Sequence, residues 1–295
     1  MENSDNTPEV ILQDVGPRDG LQNEPTVLDP AVRARLIDGL TAAGIPRIQI
    51  GSFVNPRRVP QMAGTDLVWR MLSRKPGTRY SVLVLNKRGL EEAVKAGIPH
   101  VEIFVSASET HSARNSGVPV ARAVSDAIAM IDEALGAGMG VTAGVMCAFG
   151  CFYEGTVPVE RVRDIIAGFE ERHPTEIGLA DTTGMGDPDA MRRMIDALDG
   201  IVAVERIALH LHDTRGRAVE NMITALQMGV RKFDASVGGL GGCPFILNAA
   251  GNVATGRVVD VLTAMGLATG IDNRAVARVR EWLERLLGRR PGHGE

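Results

Sequence analysis

The chain has 295 residues, of which 44% are apolar and 23% are charged, and its formal net charge is −4 at pH 7. These proportions are typical of a globular protein with a full hydrophobic core and exclude an intrinsically disordered chain. Only 4% of the residues are aromatic. The negative charge and the scarcity of stacking rings argue against nucleic acid as a partner.

The N-terminal residues are polar and acidic, and the sequence contains no apolar run long enough to cross a membrane. We therefore expect no signal peptide, no membrane partner and a cytoplasmic location. The three cysteines, Cys147, Cys151 and Cys243, do not form a disulfide framework in a chain of this length, and we expect reduced thiols. Cys147 and Cys151 lack further partners for a zinc site, so we expect a structural role for both.

Short apolar or β-branched runs alternate along the chain with longer segments of helical periodicity. The short runs predict strands over Val10–Asp14, Arg47–Gly51, Tyr80–Leu85, His100–Val105, Gly140–Met146, Glu176–Ala180, Arg206–His212 and Lys232–Val237. The longer segments predict helices over Pro30–Ala43, Met62–Ser73, Lys87–Ala96, Val118–Ala137, Val159–Glu171, Pro188–Leu198, Arg217–Met228 and Gly251–Met265.

This alternation indicates parallel pairing of the strands. Eight strand–helix units in a chain of this length predict an α/β fold, a (β/α)₈ TIM barrel, for which about 250 residues are typical. A doubly wound open sheet is the alternative, but the chain has neither a G-x-G-x-x-G turn nor a P-loop. We expect one catalytic domain over residues 1–295, with the barrel at about 9–268 and an additional C-terminal helix, Asn273–Leu287.

Two histidines lie at the end of the seventh predicted strand. His210 and His212 are two residues apart and therefore share one face of the strand. In a closed barrel the first, seventh and eighth strands are neighbours, which brings Asp19 to the same rim. Two imidazoles and one carboxylate can form a divalent-metal site with open positions. The alternative is a pair of histidines that hydrogen-bond to loop carbonyls.

Polar residues follow several other predicted strands, at the end of the barrel where active sites lie. Cys243 lies in a glycine-rich loop after the eighth strand and is either a catalytic acid or an inert thiol. Ser106–Glu109 with His111, and Asp181–Gly184, are either helix N-caps or substrate contacts.

Three motifs, found in this order, resemble those of the 3-hydroxy-3-methylglutaryl-CoA lyase family of metal-dependent TIM-barrel lyases. They are V-G-P-R-D-G-L-Q-N-E at Val15–Glu24, H-L-H-D-T at His210–Thr214 and G-G-L-G-G-C-P at Gly238–Pro244. The likeness runs from about Ile11 to Gly266. It implies a divalent-metal-dependent carbon–carbon lyase that cleaves a 3-hydroxy-acyl-CoA to acetyl-CoA and a keto acid such as acetoacetate.

The resemblance also implies a role for individual residues. The implied ligands of Mg²⁺ or Mn²⁺ are Asp19, His210, His212 and Asn252. The implied catalytic residues are Arg18, which would stabilise the enolate charge, Cys243, which would protonate the enolate, and Asp181. The implied substrate-binding residues are Gln22, Gln49, Ser52 and Asn248. The implied partner is an acyl-CoA substrate, and the implied assembly is a homo-oligomer, a dimer or a tetramer.

Three departures from the family pattern bear on the substrate, and two of them, at Gln49 and at Ile246 with Leu247, predict a pocket reshaped for a different acyl substituent. Gln49 and Gly256 stand where the family usually has glutamates, and Ile246–Asn248 replaces a small, glycine-containing stretch. The alternatives are a related lyase such as a citramalyl-CoA lyase, a condensing synthase, or a non-catalytic barrel that only binds acyl-CoA. A condensing synthase is disfavoured, because such enzymes often carry an added regulatory domain, for which we expect no room in 295 residues. Arg18 and Cys243 disfavour the non-catalytic barrel, because holding a metal requires neither.

Overall fold

Parallel strands close into a barrel in the computed structural model, which describes residues 9–242 and 251–288 of the chain. Each strand pairs with the next, and the eighth returns to the first, so the predicted (β/α)₈ barrel is confirmed. The strands are β1 (Ile11–Asp14), β2 (Arg47–Ser52), β3 (Arg79–Val84), β4 (His100–Ser106), β5 (Gly140–Met146), β6 (Glu176–Asp181), β7 (Ile207–Leu211) and β8 (Lys232–Ala235).

Helices lie between the strands and after the last of them. They are α1 (Pro30–Ala42), α2 (Thr65–Met71), α3 (Lys87–Ala96), α4 (Glu109–Asn115), α5 (Val120–Gly136), α6 (Val159–Glu170), α7 (Pro188–Ala197), α8 (Ala218–Gln227), α9 (Thr255–Ala264) and α10 (Asn273–Leu287). None of the helices in the described part of the chain is long and apolar enough to span a membrane.

The predicted elements match the observed ones closely, with two omissions. The sequence did not predict α4, because its seven residues are too few and too polar to show an apolar stripe. It also did not predict the π-helical turn over Gly16–Gly20. The predicted ends of the seventh and eighth strands fall partly in two 3₁₀ turns, Val204–Arg206 and Val237–Gly239.

The main hydrophobic core lies between the strands and the surrounding helices. In α5, for example, Ala123, Ala127, Ile131 and Ala134 are buried at a spacing of about one helical turn, so the helix presents one apolar stripe to the barrel. Helix α10 packs against α1 and α9. The expected C-terminal helix is therefore part of the outer layer.

The inside of the barrel contains an aromatic ring and many polar groups. Phe104 of β4 points inward past Gly144 of β5 and Gly178 of β6, its neighbours in the strand register. A Cβ atom built on Gly144 would lie 2.3 Å from the Phe104 ring, and one on Gly178 would lie 2.5 Å from it. The two glycines therefore make the space that this ring occupies.

A buried ion cluster closes the amino-terminal end of the barrel. Glu176 accepts hydrogen bonds or ion pairs from Arg47, Arg79 and Lys232, each at 2.8 Å. These cations outweigh the effect of burial and lower the pKa of Glu176 to about 2. The cluster therefore lies at the opposite end of the barrel from the rim that carries the polar motifs.

The space beside Phe104 gives a test of the barrel interior. We expect Gly144→Ala to reduce the free energy of unfolding by about 1–3 kcal/mol, because the added methyl group overpacks the ring. Gly136→Ala, at the end of α5, is the matched control: a Cβ atom built on Gly136 would meet nothing within 4 Å, so stability should be unchanged or slightly higher. Denaturant unfolding measures both. Equal stability of the two variants would contradict this packing of the ring.

Candidate active site

Arg18 and Asp19 lie on a tight turn directly after β1. The carbonyl oxygen of Val15 accepts hydrogen bonds from the amides of Arg18, Asp19 and Gly20 at 2.7–3.2 Å, which winds the chain into a π-helical turn. The buried carboxylate of Asp14 accepts the amide hydrogen of Gly16 at 2.8 Å and the hydroxyl of Thr255 at 2.7 Å. The turn is therefore held at its start, and both functional side chains face the rim of the barrel.

The two histidines lie beside Asp19, as predicted. Their Nε2 atoms are 3.1 Å apart, and Asp19 Oδ2 is 3.9 Å from that of His210 and 3.7 Å from that of His212. Two atoms that bind one small divalent cation at adjacent octahedral positions are about 3 Å apart, given bond lengths of about 2.1 Å. The three side chains form the single cluster of His, Cys, Asp and Glu in the described ranges that could hold a metal ion.

Hydrogen bonding and charge prepare these groups as ligands. His210 Nδ1 lies 3.0 Å from Asp234 Oδ2, so Nδ1 carries the hydrogen and Nε2 presents its lone pair to the cluster. Burial raises the pKa of Asp19, but Arg18 and the two histidines outweigh it and hold the pKa well below its usual value. Asp19 is therefore a carboxylate at neutral pH. The residues fit a divalent cation.

Asn252 follows the glycine-rich loop in the chain, and its side chain contacts Asp19. Its Nδ2 lies 2.7 Å from Asp19 Oδ2 and 3.1 Å from the carbonyl oxygen of Leu240. An isolated bridge between His212 and Asn252 holds this segment beside β7. All four predicted metal ligands thus meet at one place. Cys243 and Asn248, predicted as a catalytic and a substrate-binding residue, lie outside the described residues, as do Ile246 and Leu247.

Arg18 lies between the metal cluster and the barrel interior. Its Nη1 donates to Asp19 Oδ1 at 2.5 Å, and its Nε donates to the side-chain oxygen of Gln49. Its Nη2 has no hydrogen-bond partner in the part of the chain that the structure describes. A guanidinium held on two sides in this way keeps one edge available for an incoming anion.

The other predicted substrate-binding residues occupy different settings. Gln49 is 1% exposed, and its amide nitrogen donates to Glu102 at 2.6 Å, so both ends of its side chain are engaged by the protein. Ser52 is buried at the end of β2, and its hydroxyl has no partner among the described residues. Gln22 is half-buried on the turn after β1. Gly256, where the chain departs from the family pattern, lies in α9, and its carbonyl oxygen accepts a hydrogen bond from the side chain of Asn273 of α10 at 3.2 Å.

Two rim clusters, for which the sequence left capping and substrate binding open, support the local backbone. Ser108 Oγ accepts the amide hydrogen of His111 at 3.1 Å and caps α4. The oxygens of Asp181 accept the amide hydrogens of Met185 and Gly186 at 2.9 and 3.0 Å, which braces the loop after β6.

The two described cysteines do not resemble metal ligands. Cys147 and Cys151 are both buried and free. Burial and the neighbouring sulfur of Cys151 raise the pKa of Cys147 to about 12, so its thiol stays protonated. Neither cysteine belongs to the cluster of the described residues that could hold a metal ion.

Sequence reasoning missed Gln13, Glu102 and Asp234, which line the barrel beneath Arg18 and His210. Gln13 Nε2 donates to Glu102 Oε1 at 3.0 Å and to Asp234 Oδ1 at 3.2 Å. Each of the three is a polar residue in a strand that is otherwise largely apolar. A polar residue at an inward-facing position of such a strand is the signal that could have found them.

A closed (β/α)₈ barrel with two histidines, an aspartate and an arginine at the carboxyl ends of its strands defines a metal-dependent barrel enzyme. Comparison with known proteins gives the particular group: the HMGL-like family model matches residues 9–283, and the chain belongs to this family. Its curated relatives include lyases, and the protein is a lyase-type enzyme of this family.

Three similar proteins illustrate the range of the family. The (R)-citramalyl-CoA lyase of Chloroflexus aurantiacus is 42% identical over 95% of this chain and 92% of its own. A Pseudomonas aeruginosa protein named 3-hydroxy-3-isohexenylglutaryl-CoA/hydroxy-methylglutaryl-CoA lyase is 38% identical over 96% of this chain and 94% of its own. An HMG-CoA lyase from Acinetobacter baumannii, solved with coenzyme A and 3-methylmalate, is 32% identical, has a TM-score of 0.92, and overlaps 99% of this chain and 95% of its own.

Metal binding tests the cluster directly. We expect His212→Ala to weaken Mn²⁺ binding by more than about 100-fold, because loss of a mere supporting contact to a ligand already costs about 10- to 100-fold. Titration of the metal-free protein with Mn²⁺, followed by electron paramagnetic resonance, measures the affinity. Asp189→Ala, which changes an exposed carboxylate of α7, should bind Mn²⁺ as the parent does. Parent-like binding by His212→Ala would remove His212 from the ligand set.

The pH dependence of metal binding follows from His210. Burial lowers the pKa of His210, but its hydrogen bond to Asp234 and the charge of Asp19 raise it by more, so the net shift is upward. Because a metal ion must displace the proton from Nε2, Mn²⁺ affinity should weaken as the pH falls through a value above about 6.5. Asp234→Asn should move this midpoint to lower pH, whereas Asp272→Asn at the start of α10 should not. The same midpoint in all three proteins would contradict the assignment.

Proposed function

We propose that this protein is a divalent-metal-dependent carbon–carbon lyase that cleaves 3-hydroxy-3-methylglutaryl-CoA, or a close analogue, to acetyl-CoA and a keto acid such as acetoacetate. The observation that carries the proposal is the position of Arg18 beside the metal cluster. Asp19 contacts the guanidinium at 2.5 Å through one oxygen and approaches the two histidines through the other. One site can therefore hold a cation and an anionic thioester oxygen side by side.

The proposed metal is Mg²⁺ or Mn²⁺, held by Asp19, His210, His212 and Asn252. Carboxylate and amide oxygens suit these two cations. A bound divalent cation lowers the pKa of a hydroxyl group that it contacts. This is the chemistry that cleavage of a tertiary 3-hydroxyl compound requires.

The proposed reaction is a retro-Claisen cleavage. The 3-hydroxyl loses its proton, the bond between C2 and C3 breaks, and C3 becomes the carbonyl carbon of the keto acid. The electron pair of that bond moves onto the thioester as an enolate, and C2 then takes up a proton to give acetyl-CoA. Negative charge on the thioester oxygen thus develops in the transition state that leads to the enolate.

Each catalytic residue has one proposed task. Arg18 donates from its free edge to the thioester oxygen as the enolate charge develops. Cys243 supplies or relays the proton that C2 takes up. Asp181 holds the loop after β6 beside the metal cluster by accepting two backbone amide hydrogens. Its proposed task is therefore to position this loop. The proposed substrate contacts of Gln22, Ser52 and Asn248 rest on the sequence resemblance.

The proposed partner is an acyl-CoA, and we propose a cytoplasmic homo-oligomer, a dimer or a tetramer. The Acinetobacter baumannii relative supports the first part, since its structure was solved with coenzyme A. A second candidate substrate is citramalyl-CoA. It is favoured by the similarity to the Chloroflexus aurantiacus lyase.

Product analysis tests the function. The purified protein with Mg²⁺ should release acetyl-CoA from 3-hydroxy-3-methylglutaryl-CoA together with acetoacetate, or from citramalyl-CoA together with pyruvate. The ratio of kcat/KM for the two thioesters assigns the substrate. A difference of one methylene in a pocket changes kcat/KM by about 10- to 200-fold, so activity on both is expected. Absence of acetyl-CoA from every 3-hydroxy-acyl-CoA tested would contradict the proposal.

Substitution of Arg18 tests its proposed task. Arg18→Met should lower kcat by about 100- to 1,000-fold with little change in KM, because removal of one well-placed donor costs about 3–4 kcal/mol in the transition state alone. Arg88→Met, an exposed arginine of α3, should leave both constants unchanged. A variant at Arg18 with parent-like kcat and a raised KM would reduce this residue to a substrate anchor.

A further inference from the structure

A buried carboxylate that forms no salt bridge with the described residues lies inside the barrel below Arg18. Glu102 of β4 is 2% exposed, and no lysine or arginine nitrogen of the described residues lies within salt-bridge distance of it. Burial and the charge of Asp234 raise the pKa of this carboxyl. An apolar side chain at this place would avoid the desolvation cost of a buried charge. The carboxylate therefore calls for an explanation other than packing.

Neutral donors surround Glu102 and fix its two oxygens. Oε1 accepts from Ser81 Oγ at 2.6 Å and from Gln13 Nε2 at 3.0 Å, while Oε2 accepts from Gln49 Nε2 at 2.6 Å. Ser81, Gln13 and Gln49 are all buried. The carboxylate is thus held from one side and presents its second oxygen to Gln49.

The bonds to Glu102 and to Arg18 together fix which way the amide of Gln49 points. A carboxylate only accepts hydrogen bonds and a guanidinium only donates them. Gln49 lies between the two, so only one orientation satisfies both neighbours, with its nitrogen toward Glu102 and its oxygen toward Arg18 Nε. Without an acceptor at position 102 the amide could rotate and present its N–H groups to the guanidinium, which would repel it.

We propose that Glu102 is a positioning residue of this enzyme, which acts through the amide of Gln49 to hold the guanidinium of Arg18 in the geometry that stabilises the enolate. This inference rests on the proposed lyase function. Glu102 fixes the amide of Gln49, which accepts from Arg18 Nε, while Asp19 accepts from Arg18 Nη1. These two contacts together fix the direction in which Arg18 Nη2 points. The family motifs do not include position 102, and Glu102 accounts for the glutamine at position 49.

The same geometry predicts that glutamate and glutamine can exchange places. In the double variant Gln49→Glu/Glu102→Gln, the carboxylate at 49 accepts from Arg18 Nε and from the new amide at 102. The oxygen of that amide accepts from Gln13 and Ser81 as the original carboxylate does. Only the hydrogen bond between positions 49 and 102 reverses its direction, and every donor still meets an acceptor, whereas either single substitution creates a mismatch. Gln49→Glu alone sets two buried carboxyl groups against each other, so we expect it to impair the enzyme.

The experiment compares the two single variants, the double variant and the parent by steady-state kinetics on the preferred thioester. We expect Glu102→Gln to lower kcat by about 10- to 100-fold, the range typical of supporting contacts to an active-site group, with little change in KM. We expect the double variant to recover most of this loss. Parent-like kcat in Glu102→Gln, or a double variant no faster than that single variant, would overturn the proposal.

Two further measurements separate positioning from general damage. Mn²⁺ affinity should stay within severalfold of the parent in Glu102→Gln, because the contact between His210 and Asp234 is direct. Glu170→Gln is the control, since Glu170 pairs with Arg206 in a partly buried contact at 2.6 Å outside this network. It should keep the parental kcat. If Glu170→Gln lowered kcat as much as Glu102→Gln, loss of stability would explain both and the proposal would fail.

A readout that does not need turnover distinguishes this proposal from the lyase function. The Arg18 Nε–H signal in a ¹H–¹⁵N spectrum, assigned by its loss in Arg18→Met, should shift or exchange faster in Glu102→Gln and return in the double variant. An unchanged signal in Glu102→Gln would overturn the role of Glu102. If the parent cleaved no 3-hydroxy-acyl-CoA while this signal behaved as expected, only the proposed reaction would fail.

Discussion

Closure of the barrel between β1 and β8 is the constraint on which the site depends. Asp19 follows β1, while His210 lies on β7 and Asn252 follows β8. Strand β8 pairs with both β1 and β7, and the register sets Gln13 beside Asp234 and Asp234 beside His210. Because side chains alternate between the two faces of a strand, a shift of one residue would turn these groups out of the barrel. The pairing register is thus what makes one site out of distant segments.

The polar interior is the second feature that shapes this molecule. TIM barrels are usually filled with branched apolar side chains, whereas here Phe104 is accompanied by glutamine, glutamate, serine and aspartate. A buried polar group is costly unless it is hydrogen-bonded, and Glu102 has three donors. Each added partner restricts the orientation of its neighbour. The interior therefore contributes less to stability than an apolar filling would, and more to the placement of the groups above it.

Much of the fold could be predicted because alternating strands and helices leave a strong periodic pattern. Segments such as Gly140–Met146 and Lys87–Ala96 begin and end at the predicted residues. The π-helical turn could not be predicted, because it depends on one carbonyl, that of Val15, accepting three amides. Short polar α4 also escaped, since capping by Ser108 and tertiary contacts stabilise it rather than an apolar stripe.

The parts of the candidate site that come from single motifs could be predicted from the sequence. Asp19, His210 and His212 meet as expected, because strand neighbourhood in a closed barrel follows from strand order alone, and Asn252, which only the sequence resemblance implied, contacts Asp19. The setting of Gln49 was not predictable, because its partner Glu102 comes from a different strand with no motif around it. Likewise, Asp181 could be assigned to the rim from the sequence, but its contacts with Met185 and Gly186 depend on the fold of the loop.

The wide separation of the site residues along the chain has a consequence for biosynthesis. Asp19 leaves the ribosome well before its contact Asn252, which is 233 residues further on. The β1–β8 pairing is equally non-local, and such contacts form late because a long loop must close first. A nascent chain therefore carries an unpaired β1 edge until β8 has been made, and an unpaired edge is prone to aggregation. A metal ion that joins Asp19 to His210 and His212 would then act on a late step of assembly, favouring the closed barrel over its open precursor.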